Sequence, residues 1–288
     1  MIDHTSTIQL NSGTQMPLLG LGTFRLQGAE DTYRNVDAAL TAGYRAFDTA
    51  AVYRNEMDIG QALHTLLPKH GLSRADVFIT SKLSPKDQGS KARDACLKSL
   101  QQLGMDYIDL YLIHWPGTQG FDVSDKRNPA SRAQSWTTLE DFYAQGKFRA
   151  IGVSNYTVKH MQELLKSCRV VPAVLQVEFH PRLAQRGLRA LCEENGVCFQ
   201  AYSSLGTGVL LSDPVVQEVA ERCGRTPAQV LLRWAVQQNV PVLPKTCQPD
   251  RVHNNMQLFD FELSENDMVK LSAMDCEEKF CWNPSSVV

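Results

Sequence analysis

Residues 76–114 read DVFITSKLSPKDQGSKARDACLKSLQQLGMDYIDLYLIH, and this stretch decides the fold. Two short apolar runs, 76–82 and 107–114, flank a segment in which apolar residues recur at spacings of three and four. That spacing predicts an amphipathic helix over 89–104, and the glycine at its end predicts where the helix stops. A strand, a helix and a second strand in this order are typical of a parallel βαβ unit.

The same alternation continues along the chain of 288 residues. Further helical patterns cover 29–43 and 135–146, and six more apolar runs bring the total to eight: 18–24, 44–48, 147–155, 172–178, 197–203 and 240–245. Eight βα units predict one α/β domain over residues 1–288, a (β/α)8 TIM barrel, with an open doubly wound sheet as the alternative.

Two segments outside these units predict additions to the barrel. Residues 7–17, TIQLNSGTQMP, place a Ser-Gly turn between two short runs. This pattern predicts an N-terminal β-hairpin that caps the bottom of the barrel. Helix-like segments follow residue 245 and predict extra helices near the C-terminus.

The composition argues against several classes of protein. The net charge is −2, and no run of eighteen apolar residues occurs, so neither nucleic acid nor a membrane is an expected partner. The eight cysteines include no C-x-x-C pair and no zinc-type spacing, so no metal site is expected. Residues 1–10, MIDHTSTIQL, resemble no targeting segment. We therefore expect a monomer in the reducing cytoplasm.

Polar side chains end nearly every apolar run: Asp48, Lys82, His114, Asn155, Gln176, Tyr202 and Lys245. In a parallel barrel the carboxyl ends of the strands meet on one rim, where the chemistry of this fold takes place. A strand that simply runs out into solvent would explain any one of them. Seven in succession favour a functional site.

Asp48, Lys82, Tyr53 and His114 have a combined chemical use at this rim. Buried charges need partners, so we expect Asp48 and Lys82 to pair, and a purely structural ion pair is the alternative. Reduction of a carbonyl places negative charge on its oxygen, so a proton donor is required there. We predict that Tyr53 is this donor, that Lys82 lowers the pKa of Tyr53, and that His114 directs the carbonyl oxygen.

A cluster of phosphate-binding side chains is predicted after the eighth run. Residues 244–255, PKTCQPDRVHNN, place Lys245, Thr246 and Arg251 in one loop and the helix start that follows it. These groups suit the 2′-phosphate of NADPH, and a solvated surface turn is the alternative. Residues 203–208, SSLGTG, have the serine and glycine content to wrap a pyrophosphate.

Two other site types are disfavoured. GLGTFR, residues 20–25, begins like a dinucleotide fingerprint, but Arg25 stands in place of the third glycine, so a Rossmann site is rejected. A metal-dependent barrel hydrolase needs clusters of His and Asp at the strand ends. Of the histidines, only His114 and His180 lie near strand ends, and they form no H-x-H pair.

The sequence closely resembles the aldo-keto reductase superfamily over almost its whole length. The stretches that carry the resemblance are GYRAFDTAAVYRNEMDIG (43–60), KFRAIGVSNY (147–156), PKTCQPDRVHNN (244–255), SKL (81–83) and LIHWP (112–116). The resemblance implies a (β/α)8 barrel, NADPH as cofactor, and hydride transfer to the carbonyl carbon of aldehydes or ketones. The catalytic positions that it implies are Asp48, Tyr53, Lys82 and His114.

By the same resemblance, the cofactor contacts are Thr23, Ser154, Asn155, Gln176, Tyr202, Ser203, Leu205, Lys245, Thr246, Arg251 and Asn255. Three of these would bond the nicotinamide carboxamide: Ser154, Asn155 and Gln176. Tyr202 would stack on the nicotinamide ring. The substrate would contact Phe24, Trp115, His114 and Tyr53.

The sequence departs from the family pattern at Ser84, where a tryptophan is common, and we expect a wider or more polar pocket there. Asn254 stands where members of that superfamily more often have a glutamate or a small residue. Phe121 and Trp282 either close the pocket or pack as ordinary core and surface residues. The tail, 279–288, resembles that of relatives that reduce small aldehydes, α-dicarbonyls or keto esters. A cofactor-binding redox sensor is the alternative to an enzyme.

Overall fold

The structure, a computed structural model, describes Asp3 and residues 5–288. Its N-terminal segment is the predicted β-hairpin. Strands β1 (Thr7–Gln9) and β2 (Gln15–Pro17) pair antiparallel, with Ile8 opposite Met16. Gly13 has a φ of 84°, which a glycine adopts without steric cost.

A parallel sheet of seven strands follows, in which each strand pairs with the next along the chain. The strands are β3 (Leu21–Gly22), β4 (Ala46–Asp48), β5 (Phe78–Leu83), β6 (Leu110–Ile113), β7 (Ile151–Ser154), β8 (Val174–Glu178) and β9 (Cys198–Tyr202). A doubly wound sheet reverses its strand order at a switch point, whereas this order never reverses. The open doubly wound alternative is therefore wrong.

The eighth apolar run, 240–245, lies between the two edges of the sheet. Val242 bridges both Leu19 and Ala201, and Lys245 bridges Gly22. These contacts are isolated bridges rather than a strand ladder. Pro241 and Pro244 have no N–H to donate, which explains why a regular ladder does not form here.

Helices connect the strands and cover the outside of the sheet. They are α1 (Ala29–Ala42), α2 (Glu56–Lys69), α3 (Ala92–Leu103), α4 (Arg127–Ala144), α5 (Val158–Ser167), α6 (Arg186–Glu194), α7 (Pro214–Cys223), α8 (Pro227–Val236), α9 (Pro249–Met256) and α10 (Glu265–Ser272). Gly43 and Gly104 end α1 and α3 in the left-handed conformation, as their sequence positions predict. Helices α9 and α10 are the predicted additions near the C-terminus.

The glycines of the rejected fingerprint have a packing role. A Cβ at Gly20 would lie 2.8 Å from the Leu243 side chain, and a Cβ at Gly22 would lie 2.8 Å from the Leu243 carbonyl. These glycines therefore permit the close approach of β3 to the eighth run. Gly22 N–H donates to the Pro244 carbonyl at 3.0 Å.

The hairpin seals the end of the sheet where the strands begin, as predicted. Leu10 and Met16 are buried and pack in one cluster with Ala46, Phe78 and Leu110. These three residues are the first residues of β4, β5 and β6. The other end of the strands is thereby left as the end open to solvent.

Met16→Ala should lower the free energy of unfolding by about 2–5 kcal/mol, because the side chain is fully buried and its removal leaves a cavity. Urea denaturation measures this loss. The matched control is Met57→Ala, whose side chain is 48% exposed and whose loss should cost less than about 0.5 kcal/mol. Equal effects of the two substitutions would contradict the sealing role of the hairpin.

Candidate active site

Lys82 and Asp48 form a buried ion pair at the open end of the sheet. Lys82 lies near the end of β5, and Asp48 ends the neighbouring strand β4. Lys82 Nζ lies 2.5 Å from Asp48 Oδ1, and the lysine is fully buried. Burial lowers the pKa of Lys82, and the Asp48 carboxylate opposes this effect by favouring the ammonium. Lys82 also donates to the Thr49 carbonyl at 3.0 Å.

Tyr53 lies beside this pair, at the end of the short 3-10 turn Ala51–Tyr53. Its hydroxyl is 3.5 Å from Lys82 Nζ. The pKa of Tyr53 is raised well above its ordinary value, first because burial disfavours the phenolate and then because of the Asp48 carboxylate. The net shift is therefore opposite to the lowered pKa that we predicted for Tyr53. Asp48 offsets the lysine charge, and burial dominates, so the hydroxyl keeps its proton at neutral pH.

His114 follows β6 and faces Tyr53 edge to face, with 5.6 Å between the ring centroids. Burial, assisted by the charge of Lys82, lowers the pKa of His114 to about 3. The imidazole is therefore neutral and carries one N–H donor and one acceptor. Its Nδ1 is buried and has no hydrogen-bond partner within the described residues.

Gln176, from β8, holds the second oxygen of Asp48. Its Nε2 donates to Asp48 Oδ2 and to Gln200 Oε1, both at 2.9 Å. Both hydrogens of this amide thus serve protein acceptors. We did not predict Gln200, although a glutamine inside the apolar run 197–203 is the signal that would have indicated it.

Asn155 and Tyr202 are joined by a short hydrogen bond, in which the Tyr202 hydroxyl donates to Asn155 Oδ1 at 2.6 Å. Asn155 Nδ2 donates to the His114 carbonyl at 2.9 Å and to Ser154 Oγ at 3.1 Å. Asn155 has a φ of 64°, a conformation that is costly outside glycine. The network fixes the Tyr202 ring relative to the loop that carries His114.

Thr23 directly follows β3, which pairs with β4 on the edge away from β5. It is buried, and its hydroxyl donates to the Asp48 carbonyl at 2.9 Å. Thr23 therefore lies at the predicted rim, although its hydroxyl hydrogen is used within the protein.

Residues 203–208 form an irregular turn after β9. Ser203 and Thr207 have left-handed backbones, with φ of 50° and 54°. Leu205 is half-buried. The Ser204 hydroxyl is buried and has no hydrogen-bond partner among the described residues.

Lys245 and Arg251 lie on the exposed loop and first turn of α9 that follow the eighth run. Neither side chain makes an ion pair within the part of the chain that the structure describes. Thr246 and Asn255 are buried beneath them, and Thr246 Oγ1 accepts the Gln248 N–H at 3.0 Å. Two unpaired cations on one loop suit a phosphate group.

Of the aromatic residues predicted to line the pocket, Phe24 contacts Tyr53 directly. The Phe24 ring lies 5.2 Å from the Tyr53 ring and is half exposed. Trp115 and Trp282 meet edge to face at 6.3 Å, and Trp282 is 84% exposed. Phe121 instead packs under the Arg127 guanidinium, 4.1 Å from the ring centroid.

Ser84, where we predict a wider or more polar pocket, has its hydroxyl turned to the backbone. It is fully buried, and its hydroxyl accepts the Lys86 N–H at 3.3 Å, which begins the short turn after β5. Its polar atom is therefore used by the backbone.

The C-terminal tail is anchored over the rim through main-chain groups. Glu178, at the end of β8, accepts the N–H groups of Phe280 at 2.7 Å and Cys281 at 3.2 Å. Farther along, the Val287 carbonyl accepts from His160 Nε2 at 2.9 Å, and the Val288 carbonyl accepts from Arg132 at 2.7 Å. We did not predict these anchors, although Glu178 ends an apolar run just as Asp48 does.

Asn55 is a further residue that the sequence did not single out. It is buried two positions after Tyr53, and its side chain donates to the carbonyls of Thr23 and Leu26.

The described residues offer neither a metal centre nor a membrane-spanning helix. No group of three His, Cys, Asp or Glu side chains there is placed to hold a metal ion. No helix among these residues combines the length and apolar character needed to cross a membrane. Surface cavities of about 310 and 430 Å³ lie away from Tyr53, one beside the hairpin and one between α2 and α3.

Comparison with known proteins gives consistent matches. Residues 18–275 match the model of the Aldo/keto reductase family. The chain is 41% identical over 283 residues to a glyoxal reductase of Bacillus subtilis, covering 98% of this chain and 97% of that one. It is 37% identical to a 9,11-endoperoxide prostaglandin H2 reductase of Trypanosoma cruzi, over 97% and 95% of the two chains.

Solved structures agree with the sequence matches. An aldo-keto reductase enzyme from a Medee basin deep-sea metagenome library superposes with a TM-score of 0.87 at 36% identity, covering 96% of this chain and 98% of that one. An aldose reductase from Schistosoma japonicum also gives a TM-score of 0.87 at 36% identity, covering 96% and 94%.

The neutral state of His114 gives a prediction that NMR can test. Its pKa of about 3 lies below the ordinary value of 6.5, so its ring resonances should not titrate between pH 8 and pH 5. The unfolded chain takes up this proton first, so His114 should lower the free energy of unfolding as the pH falls from about 6.5 toward 3. His114→Gln assigns the resonance and should remove this part of the acid sensitivity. A His114 resonance titrating near pH 6.5 would refute the assignment.

Proposed function

The chain belongs to the aldo/keto reductase family, and on that premise we propose that it is an NADPH-dependent reductase of aldehydes or ketones. The family implies carbonyl reduction with a nicotinamide cofactor. The observation that carries the proposal is the position of the Tyr53 hydroxyl, 3.5 Å from Nζ of the fully buried Lys82.

Tyr53 is the general acid in this proposal. When bound, NADPH supplies a hydride to the carbonyl carbon, which leaves negative charge on the oxygen. Tyr53 gives its proton to that oxygen. The raised pKa keeps the proton on the phenol until it is needed, and the Lys82 ammonium then stabilises the phenolate that remains.

Asp48 and His114 support this transfer in different ways. Asp48 keeps Lys82 charged despite its burial, and its second oxygen is fixed by Gln176. His114 is neutral, so it offers a hydrogen bond to the carbonyl oxygen without adding a cation beside Lys82.

The residues available at the rim fit NADPH. Lys245 and Arg251 would hold the 2′-phosphate, with Thr246 and Asn255 beneath them. Ser203, the unpartnered Ser204 and Leu205 belong to the turn that would face the pyrophosphate. The Tyr202 ring would stack on the nicotinamide, and the free oxygen of Gln176, with Ser154, Asn155 and Thr23, would surround the carboxamide.

The proposal extends to architecture and state. We count residues 240–245 as the eighth strand of a closed (β/α)8 barrel, a view supported by the bridges that Val242 makes to both sheet edges. We also place the protein in the reducing cytoplasm as a monomer. The eight cysteines, all within the described residues, are free, which supports a reducing compartment.

Small carbonyl compounds with an apolar side are the proposed substrates. Phe24 and Trp115 offer aromatic walls beside Tyr53, with Trp282 at the mouth. The name of the Bacillus subtilis relative, glyoxal reductase, supports including α-dicarbonyls. Methylglyoxal, phenylglyoxal and 4-nitrobenzaldehyde, assayed by NADPH oxidation, test this class. No observation favours the redox-sensor alternative.

Tyr53→Phe should lower kcat by about 10²- to 10⁴-fold, because it removes the general acid. The dissociation constant for NADPH, measured by quenching of protein fluorescence, should stay within about twofold, since the hydroxyl has no assigned cofactor contact. Tyr33→Phe is the matched control, because that hydroxyl accepts a hydrogen bond from Lys69 at the surface. A Tyr53→Phe protein that keeps most of its kcat would exclude Tyr53 as the proton donor.

Lys245→Ala and Arg251→Ala should each weaken NADPH binding by about 10- to 100-fold, since each removes a charge-assisted contact worth about 1.5–3 kcal/mol. NADH binding should change little, because NADH lacks the 2′-phosphate. Titration of both cofactors against both variants measures the difference. Lys166→Ala, an exposed lysine in the last turn of α5, is the control. Equal losses for NADPH and NADH would overturn the phosphate assignment.

A further inference from the structure

Asn55 occupies the position just before α2, where an asparagine side chain usually caps the first turn of the helix. Here the side chain makes no capping hydrogen bond. It is 1% exposed and turns toward the loops at the open end of the sheet instead. Asn55 therefore does not cap α2, and its side chain makes its hydrogen bonds elsewhere.

These contacts join the loops that follow β3 and β4. Asn55 Nδ2 donates to the Thr23 carbonyl at 2.9 Å and to the Leu26 carbonyl at 3.0 Å. Asn55 Oδ1 accepts from the Thr49 hydroxyl at 2.6 Å. Both amide hydrogens and the amide oxygen therefore have buried partners, which fixes the side chain in one orientation.

The partners of Asn55 lead directly to the proton-transfer group. The Thr49 carbonyl accepts from Lys82 Nζ at 3.0 Å, while the Thr49 hydroxyl donates to Asn55. Thr23 donates its N–H and its hydroxyl to the Asp48 carbonyl, at 3.0 and 2.9 Å. One buried network thus connects the turn that carries Tyr53 to the backbone beside both members of the ion pair.

Phe24 is held by the same contacts. It lies between Thr23 and Leu26, and its ring packs on the Tyr53 ring with 5.2 Å between centroids. A second link from this loop, Gln27 Nε2, donates to the Tyr53 carbonyl at 2.7 Å. The general acid and the aromatic wall beside it therefore share one anchor.

We propose that Asn55 is a positioning residue for carbonyl reduction, which sets the Tyr53 hydroxyl relative to Lys82 and the Phe24 ring relative to the substrate. The proposal rests on the proposed role of Tyr53 as general acid. Asn55 touches neither the substrate nor the reacting atoms. Its effect comes from holding two loops in one arrangement, and proton transfer is sensitive to displacements of about 1 Å.

The test is Asn55→Ala, assayed with NADPH and 4-nitrobenzaldehyde. We expect kcat to fall by about 10- to 100-fold. The NADPH dissociation constant should stay within about threefold, because the phosphate-binding loop lies on another segment. The solvent deuterium isotope effect on kcat should rise, since proton transfer becomes harder than hydride transfer when the hydroxyl is misplaced. A purely structural role would leave this isotope effect unchanged.

Asn195→Ala is the matched control. Asn195 is an exposed asparagine at the end of α6, whose side chain donates to the Leu191 carbonyl, and its loss should leave kcat and the isotope effect unchanged. If Asn55→Ala does not fold, the pair Thr49→Val and Thr49→Ser gives the same information. The valine variant should show the fall in kcat and the larger isotope effect, and the serine variant should restore both.

Failure of this inference can be distinguished from failure of the proposed function. If the unmodified protein reduces the aldehyde and Tyr53→Phe is inactive, but Asn55→Ala keeps kcat within about twofold, the positioning role is overturned. The role is also overturned if kcat falls without a change in the isotope effect. An unmodified protein that reduces no carbonyl compound in the panel would overturn the proposed function itself.

Discussion

The ammonium of Lys82 is enclosed in the sheet with no contact with water, and the surrounding structure compensates for this unfavourable burial. A buried cation without a partner would lose its proton or disrupt the fold. Asp48 therefore has to stand at the end of the neighbouring strand. Gln176, whose amide also donates to Gln200, holds the other carboxylate oxygen from across the sheet. Their side chains meet only because the parallel strands curl around a common centre.

The same constraint explains the state of the neighbouring rings. Once Asp48 has neutralised Lys82, the interior favours uncharged groups, so Tyr53 keeps its proton and His114 does not gain one. A proton donor with a high pKa, a stable ammonium beside it and a neutral imidazole coexist without three competing charges. The arrangement is consistent with a reaction in which the negative charge that develops on the substrate oxygen passes to Tyr53, beside the Lys82 ammonium.

Periodicity and strand-end polarity were sufficient to predict the α/β order, the hairpin and the rim. They located Asp48, Lys82 and His114 because each ends an apolar run. At 240–245 they predicted a strand, and the structure has isolated bridges there, because two prolines lack the N–H groups that a regular ladder needs. They also could not predict the direction of the Tyr53 pKa shift, because that direction depends on how burial compares with two opposing charges. Asn55 was missed because an asparagine before a helix is ordinarily explained as a cap. Only the folded structure shows that its side chain points elsewhere.

The anchoring of the tail by its main chain has an evolutionary consequence. Glu178, His160 and Arg132 bind amides and carbonyls of residues 280, 281, 287 and 288, and these groups are the same whatever side chains stand there. Trp282, which is 84% exposed, can therefore be exchanged while the attachment of the segment is preserved. A lineage that carries such a tail is able to change the chemical character of the mouth one residue at a time, and selection for new molecules can act there while the folding of the barrel stays unaffected.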